Sequence, residues 1–167
     1  KTYGIAITLD GTTEFTAIGL VNGDTVTIVT LTSAGVSSGA AAGTYPIVPS
    51  NAAGSGLDNY DITYNNGTLT VGKAGLTITA NGRTKTYGEA VVFAGTEFTS
   101  DGLKAGDSIT SVTLTSTGAG SDAAVGTYNI VPSAAAGINP ANYDPIVYAD
   151  GQLTVNKADA TIDVARD

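Results

Sequence analysis

GTYPIVPSNAAG, residues 43–54, returns as GTYNIVPSAAAG at 126–137, 83 positions on (126 − 43). Working outward, NGTLTVGKA at 66–74 is echoed by DGQLTVNKA at 150–158, and Lys1-Thr2-Tyr3-Gly4 by Lys85-Thr86-Tyr87-Gly88, 84 positions on (85 − 1). The slips are local: Thr12-Thr13 shortens to the single Thr96, and Pro145 is inserted after Asn142-Tyr143-Asp144. A fixed internal period dominates any reading of fold, and a residue gained or lost between matching blocks marks a loop. The 167 residues span two periods and read as part of a tandem array, with units at 1–84 and 85–167. A feature copied into both units serves the unit, whereas a catalytic site has little reason to occur twice.

Each unit is large enough for one small core. The absence of Cys and His removes disulfides, thiolate nucleophiles, imidazole bases and Cys/His zinc sites. Charged residues make up 13% of the chain, with a net charge of −8, so an approach to phosphate backbones is repelled. No apolar run is long enough for a membrane span and no signal-peptide pattern opens the sequence, which for a fragment is silent on secretion. A Thr-, Ser-, Gly-, Ala- and Asn-rich chain with almost no oxidisable side chains suits an extracellular bacterial protein.

Thr/Val alternation is the main local signal. Residues 24–32 and 108–115 place apolar side chains at every second position, the period of a half-buried strand. Further strands are expected at 44–49 and 127–132, 59–64 and 142–148, 68–72 and 152–156, and 75–80. NYDITY-NNG-TLTV reads as a hairpin turning on Asn66-Gly67, and its copy turns on Asp150-Gly151. Segments 13–23 and 96–106 have room for one helical turn each. No linker separates the units, which favours an elongated, end-to-end arrangement.

All eight tyrosines pair between units: Tyr3 with Tyr87, Tyr45 with Tyr128, Tyr60 with Tyr143, Tyr64 with Tyr148. They could be a stacking platform for sugars or bases. Duplication favours the plainer reading, rings filling two small cores with hydroxyls satisfied at the rim.

Taken in order, Lys-Thr-Tyr-Gly, Gly-Leu-Val-Asn-Gly-Asp (19–24), Gly-Thr-Tyr-Pro-Ile (43–47), Asn-Tyr-Asp-Ile-Thr-Tyr (59–64) and Gly-Thr-Leu-Thr-Val (67–71) resemble the YGX-type MBG repeats. The resemblance covers essentially the whole chain in both units. It departs from the usual pattern at 5–14, where an Asn-Pro after the Tyr-Gly block is missing. It implies a mostly β fold, β-grasp-like or alternatively an Ig-like sandwich, built into large bacterial surface proteins and filamentous adhesins. It implies no catalytic residues and no settled ligand. The family's usual phasing starts at Lys-Ala, making 74–157 one complete unit and 158–167 the first strand of a following one.

Several constellations invite chemistry. Glu14 with Asp24, and Glu97 with Asp107, could form two-carboxylate hydrolase pairs, but these need a cleft and split pKa values. An Asp in Asn-Gly-Asp-Thr more often caps a turn. The twinned Asn59/Asp61 and Asn142/Asp144 could offer oxygens to calcium, yet no Asp-x-Asp-x-Asp-Gly loop exists and an Asx-turn explains them. Gly35–Gly43 and Gly118–Gly126 carry no phosphate-binding signature. Lys1, Lys73, Lys85 and Lys157 could join asparagines in isopeptide cross-links. The Thr-x-Thr runs could form a flat ice- or carbohydrate-binding face, or simply the solvent side of a sheet.

The expectation is therefore two mostly-β modules without catalytic residues, metal or cofactor, serving as stalk repeats of a bacterial cell-surface or secreted adhesin. The alternative is a module that grips a glycan or host protein through loops 33–43 and 116–126, which differ between copies. If the first unit lacks its opening strand, 158–165 of a neighbouring chain could supply it by strand donation.

Overall fold

A computed structural model describes residues 1–104 and 106–165. The mostly-β, small-module expectation is met. Among the described residues strands dominate, the helical segments are single 3-10 turns at Ala34–Val36, Leu57–Asn59 and Pro140–Asn142, and there is no α-helix. Two compact units form: Lys1–Ala74 with Ala141–Asp144, and Gly75–Pro140 with the chain from Pro145 onward.

In the first unit, β1 (Thr25–Thr32), β2 (Gly43–Ser55) and β3 (Gly67–Val71) make an antiparallel sheet in that order. The chain's opening residues extend it beyond β3. Thr2 bridges Gly72 in parallel, the Tyr3 amide donates to Gly72 O at 2.8 Å, and the Gly72 amide donates to Lys1 O at 2.7 Å. Alternate residues point inward, as a period of two requires, burying Leu69 and Val71 together with Val29 and Tyr3. Tyr3 packs edge-on against Tyr143 of this unit's second segment, ring centres 5.7 Å apart at 81°.

The second unit holds β4 (Ala74–Ala80) from Gly75 on, β5 (Arg83–Thr86), β6 (Phe98–Asp101), β7 (Ser111–Thr115), β8 (Gly126–Ala136), β9 (Tyr143–Ala149) from Pro145 on, and β10 (Gly151–Asn156). One sheet runs β5-β10-β8-β7, with β5 parallel to β10 and the other pairs antiparallel. It repeats the first unit's sheet strand for strand. A second sheet, β6-β4-β9, has no strand counterpart in the first unit. Its central strand carries Ala74, Leu76, Ile78 and Ala80, all buried, which with Leu153, Val155, Ile130, Val112 and Leu114 form the core. Burying each large aliphatic side chain contributes roughly 1.5–3 kcal/mol. The second unit is thus built of two small sheets with no α-helix among the described residues, in keeping with the all-β, small-module expectation.

Three local expectations are corrected. Residues 59–64 form no strand, although their copy is β9. In the second unit β9 is held by β4, and the first unit has no such neighbour. The two hairpins do not form either: β9 and β10 are consecutive but lie in different sheets, β10 between β8 and β5. A dipeptide that permits a sharp reversal also permits a corner, and at Gly151 a Cβ would stand 2.5 Å from Ala80 O. Within 96–106, Phe98–Asp101 is strand β6, paired with β4, rather than a helical turn.

A β-bulge is built identically in both sheets. Asn51 and Ala52 oppose the single Val29, and Ala134 and Ala135 oppose Val112. Asn51 and Ala134 both take φ 50°. The displaced Val29 and Val112 amides donate at 2.8 Å to Gly11 O and Gly95 O. Glycine is required at residue 11 because a Cβ there would lie 1.9 Å from Val29 O.

Candidate functional site

The carboxylates singled out by sequence are engaged in turns. Glu14 accepts the Asp10 amide at 2.9 Å, while Asp10 accepts the Thr12 amide at 2.8 Å and the Thr12 and Thr13 hydroxyls at 2.6 and 2.8 Å. Those bonds, the Thr12 hydroxyl's first, hold the Asp10 carboxyl below its ordinary 3.8. Asp24 takes a different partner, the Tyr60 hydroxyl at 2.9 Å. Glu97 accepts three amides, from Ala94, Gly95 and Thr96, at 2.9–3.1 Å, and faces Arg83 at 3.6 Å. The Ala94 amide is the main reason its pKa falls below 4.5, against a smaller rise from burial. A general acid for glycoside hydrolysis needs the opposite shift.

The twinned Asn/Asp blocks divide their labour. Asn59 donates to Gly56 O at 3.1 Å, and the buried Asn142 accepts the Ala42 amide at 3.0 Å. Asp144 meets Lys73 at 3.8 Å, an exposed pair worth at most about 1 kcal/mol. Asp61 is exposed. Among the described residues no cluster of three carboxylates gathers as a cation site.

The lysines have a shared role that sequence reasoning missed. Lys1 Nζ donates to Ile5 O at 2.8 Å and Ser37 O at 2.7 Å. The buried Lys85 Nζ donates to the equivalent carbonyls, Glu89 O at 3.0 Å and Gly120 O. Around each ammonium the chain zips to the Gly-rich loop: the Gly4 amide to Ser38 O and Ile7 to Val36 O, then Gly88 to Ser121 O and Val91 to Ala119 O. Each Lys-Thr-Tyr-Gly block thus anchors its unit's loop, 33–43 or 116–126. A pairing of Lys with a Gly-rich segment about 35 positions on, in both units, was the available signal.

The loops begin alike. The Gly35 amide donates to Ser33 Oγ at 3.2 Å and Gly118 to Ser116 Oγ at 3.3 Å. Both glycines lie against a tyrosine ring, where a Cβ would approach Tyr45 to 2.8 Å and Tyr128 to 2.6 Å. Those rings donate their hydroxyls at 2.9 Å to Ala41 O and Ala124 O. Tyr64 and Tyr148 instead accept the amides released by the bulges, Ala52 at 2.9 Å and Ala135 at 3.0 Å. Core filling holds for Tyr3 and Tyr143, which are buried; Tyr64, Tyr87 and Tyr148 keep exposed rings, and Tyr45, Tyr64, Tyr128 and Tyr148 serve the fold through their hydroxyls.

Surface concavities lie elsewhere. One of about 560 Å³ is lined by Gly82, Arg83, Thr84, Gln152 and Thr154, another of about 290 Å³ by Thr115, Ser116, Thr117, Asn129 and Val131. Neither is lined by a carboxylate or an aromatic ring, the groups that would bind and turn over a sugar. What the duplicated side chains do chemically is close turns, cap bulges and pin loops.

The sequence model of the MBG domain (YGX type) matches residues 1–70 and again 76–154. No curated protein and no solved structure is a match.

Proposed function

The chain belongs to the MBG domain (YGX type) family, and on that premise we propose that it is a pair of structural stalk repeats from a bacterial cell-surface or secreted adhesin, spacing a distal binding domain from the cell. One observation carries this reading. In each unit the Lys-Thr-Tyr-Gly block lies hydrogen-bonded in parallel beside the unit's last strand: Thr2 beside Gly72, and β5 beside β10 from Arg83↔Leu153 to Thr86↔Asn156. Tension that draws two parallel neighbours apart along their axis slides one past the other and loads the whole set of bonds together. Antiparallel neighbours joined by a tight turn would unzip one bond at a time.

On this reading the chain is not an enzyme, uses no cofactor and touches neither nucleic acid nor membrane, and the net charge of −8 keeps neighbouring stalks soluble and apart. A second reading, a module that grips a glycan or host protein, draws on loops that differ between copies, such as the exposed Val125 where the first unit has the half-buried Ala42. A glycan and matrix-protein array probed with the 167-residue chain separates the two. Silence across the array is expected of a spacer. Reproducible sub-millimolar binding, abolished by changes in 116–126, would replace the spacer reading with the binding module.

A further inference from the structure

Asn-Gly pairs stand in the chain at 22–23, 66–67 and 81–82. Such a pair is able to modify itself. The glycine's backbone nitrogen, once it gives up its proton, attacks the asparagine's side-chain carbonyl carbon, and the amide nitrogen leaves as ammonia. Water then opens the cyclic imide. Opening at one carbonyl leaves aspartate on the original backbone; opening at the other leaves isoaspartate, whose backbone runs through the side chain. Glycine favours the step because no side chain obstructs the turn it requires. What separates the pairs is whether the fold lets nitrogen and carbonyl meet.

Two of the pairs are kept from that geometry. Gly67 opens β3 and is paired with Ile47 across the ladder, so the sheet fixes its nitrogen. Asn22 has φ 56°, and a residue with a side chain at that φ is confined to the left-handed well, which turns the next nitrogen away from its Cβ. Asn81-Gly82 differs on both counts. It forms the corner between β4 and β5, both residues are exposed, and neither has a positive φ. The Asn81 amide is anchored to Glu97 O at 3.0 Å. Among the described residues, neither the Gly82 amide nor the Asn81 side chain makes a hydrogen bond.

We propose that Asn81-Gly82 is a self-modification site, converting to isoaspartate and aspartate in the folded chain while Asn22 and Asn66 stay intact. The change falls at a sensitive joint. Arg83 follows directly, opening β5 opposite Leu153 and reaching Val92 O at 3.2 Å and the Glu97 carboxylate at 3.6 Å. Isoaspartate lengthens the backbone between the anchor at Glu97 O and the first pair of the β5–β10 ladder. Both products add a negative charge just before Arg83.

Ageing the full chain in mildly alkaline buffer tests this, with peptide mapping by mass spectrometry to locate each amide-to-acid exchange and isoaspartyl methyltransferase to label isoaspartate. The same chain in urea is the reference, because unfolding gives all the glycines the same freedom. In the folded chain Asn81 should react more than about tenfold faster than Asn22 or Asn66, and urea should bring the rates together. Gly82→Ala should slow the reaction at Asn81 by a comparable factor. Its Cβ would stand 3.4 Å from Gln152 O and no left-handed backbone is required there, so the fold is kept, as circular dichroism verifies. A folded chain in which Asn81 is stable although it reacts in urea, or in which Asn22 or Asn66 keeps pace with it, overturns the proposal.

Discussion

At the scale of single residues, the clearest test lies where two glycines meet two rings. Gly35→Ala and Gly118→Ala should each destabilise their unit by about 1–3 kcal/mol, because the ring must move for the added methyl. Gly39→Ala, with nothing within 4 Å of its Cβ, serves as the control, and urea denaturation reads all three. Lys85→Met should be costlier in one place than globally: it strips the partner from Glu89 O and Gly120 O. The expected loss is about 1–3 kcal/mol, with faster hydrogen exchange at the Gly88 and Val91 amides. Glu97 supplies a pH signature. Its folded pKa lies below the ordinary 4.5, so its contribution is present above that value and disappears as pH falls through the folded pKa. The wild type should therefore lose more stability than Glu97→Gln on acidification below about 4.5, as followed by the urea midpoint at each pH. The absence of a difference would mean that the three amides contribute nothing to holding that turn.

At the scale of elements, the bulges decide which sheet features were legible beforehand. Sequence patterning located β1, β2, β3, β4, β7, β8, β9 and β10, because period-two burial leaves its mark on composition. The bulge left none: Asn51 and Ala134 share a left-handed conformation but not a residue type, and no turn dipeptide announces it. An alanine in that conformation is strained by roughly 1–2 kcal/mol, so Ala134→Gly should stabilise the second unit by about 0.5–1 kcal/mol after the glycine's entropy is deducted. Tyr148→Phe should act the other way, by about 0.5–1 kcal/mol, since the Ala135 amide is exposed and water replaces much of the bond. Thermal unfolding of both variants checks the pair of signs. The misread hairpins have a related cause. Asn-Gly and Asp-Gly specify a sharp change of direction, but which sheet receives the next strand depends on partners far away in sequence, β4 for β9 and β8 for β10. The roles of Lys1 and Lys85 were likewise hidden in contacts 36 and 35 residues apart.

At the scale of the whole molecule, duplication is the fact from which the functional reading follows. Residue types that could have meant catalysis or calcium recur in both units, and where their bonds are seen they close turns, pin loops or pair across a strand end. What sequence could reach was therefore the repeat family and the mostly-β module, while the parallel pairing beside each last strand had to be seen in three dimensions. Stretching single molecules between their two ends tests the load-bearing claim most directly. The account predicts abrupt rupture events, and a lower rupture force in Tyr87→Pro, which removes the amide that bonds Asn156 O at 2.9 Å beside β10. Smooth extension without rupture, or a rupture force indifferent to that substitution, would contradict it.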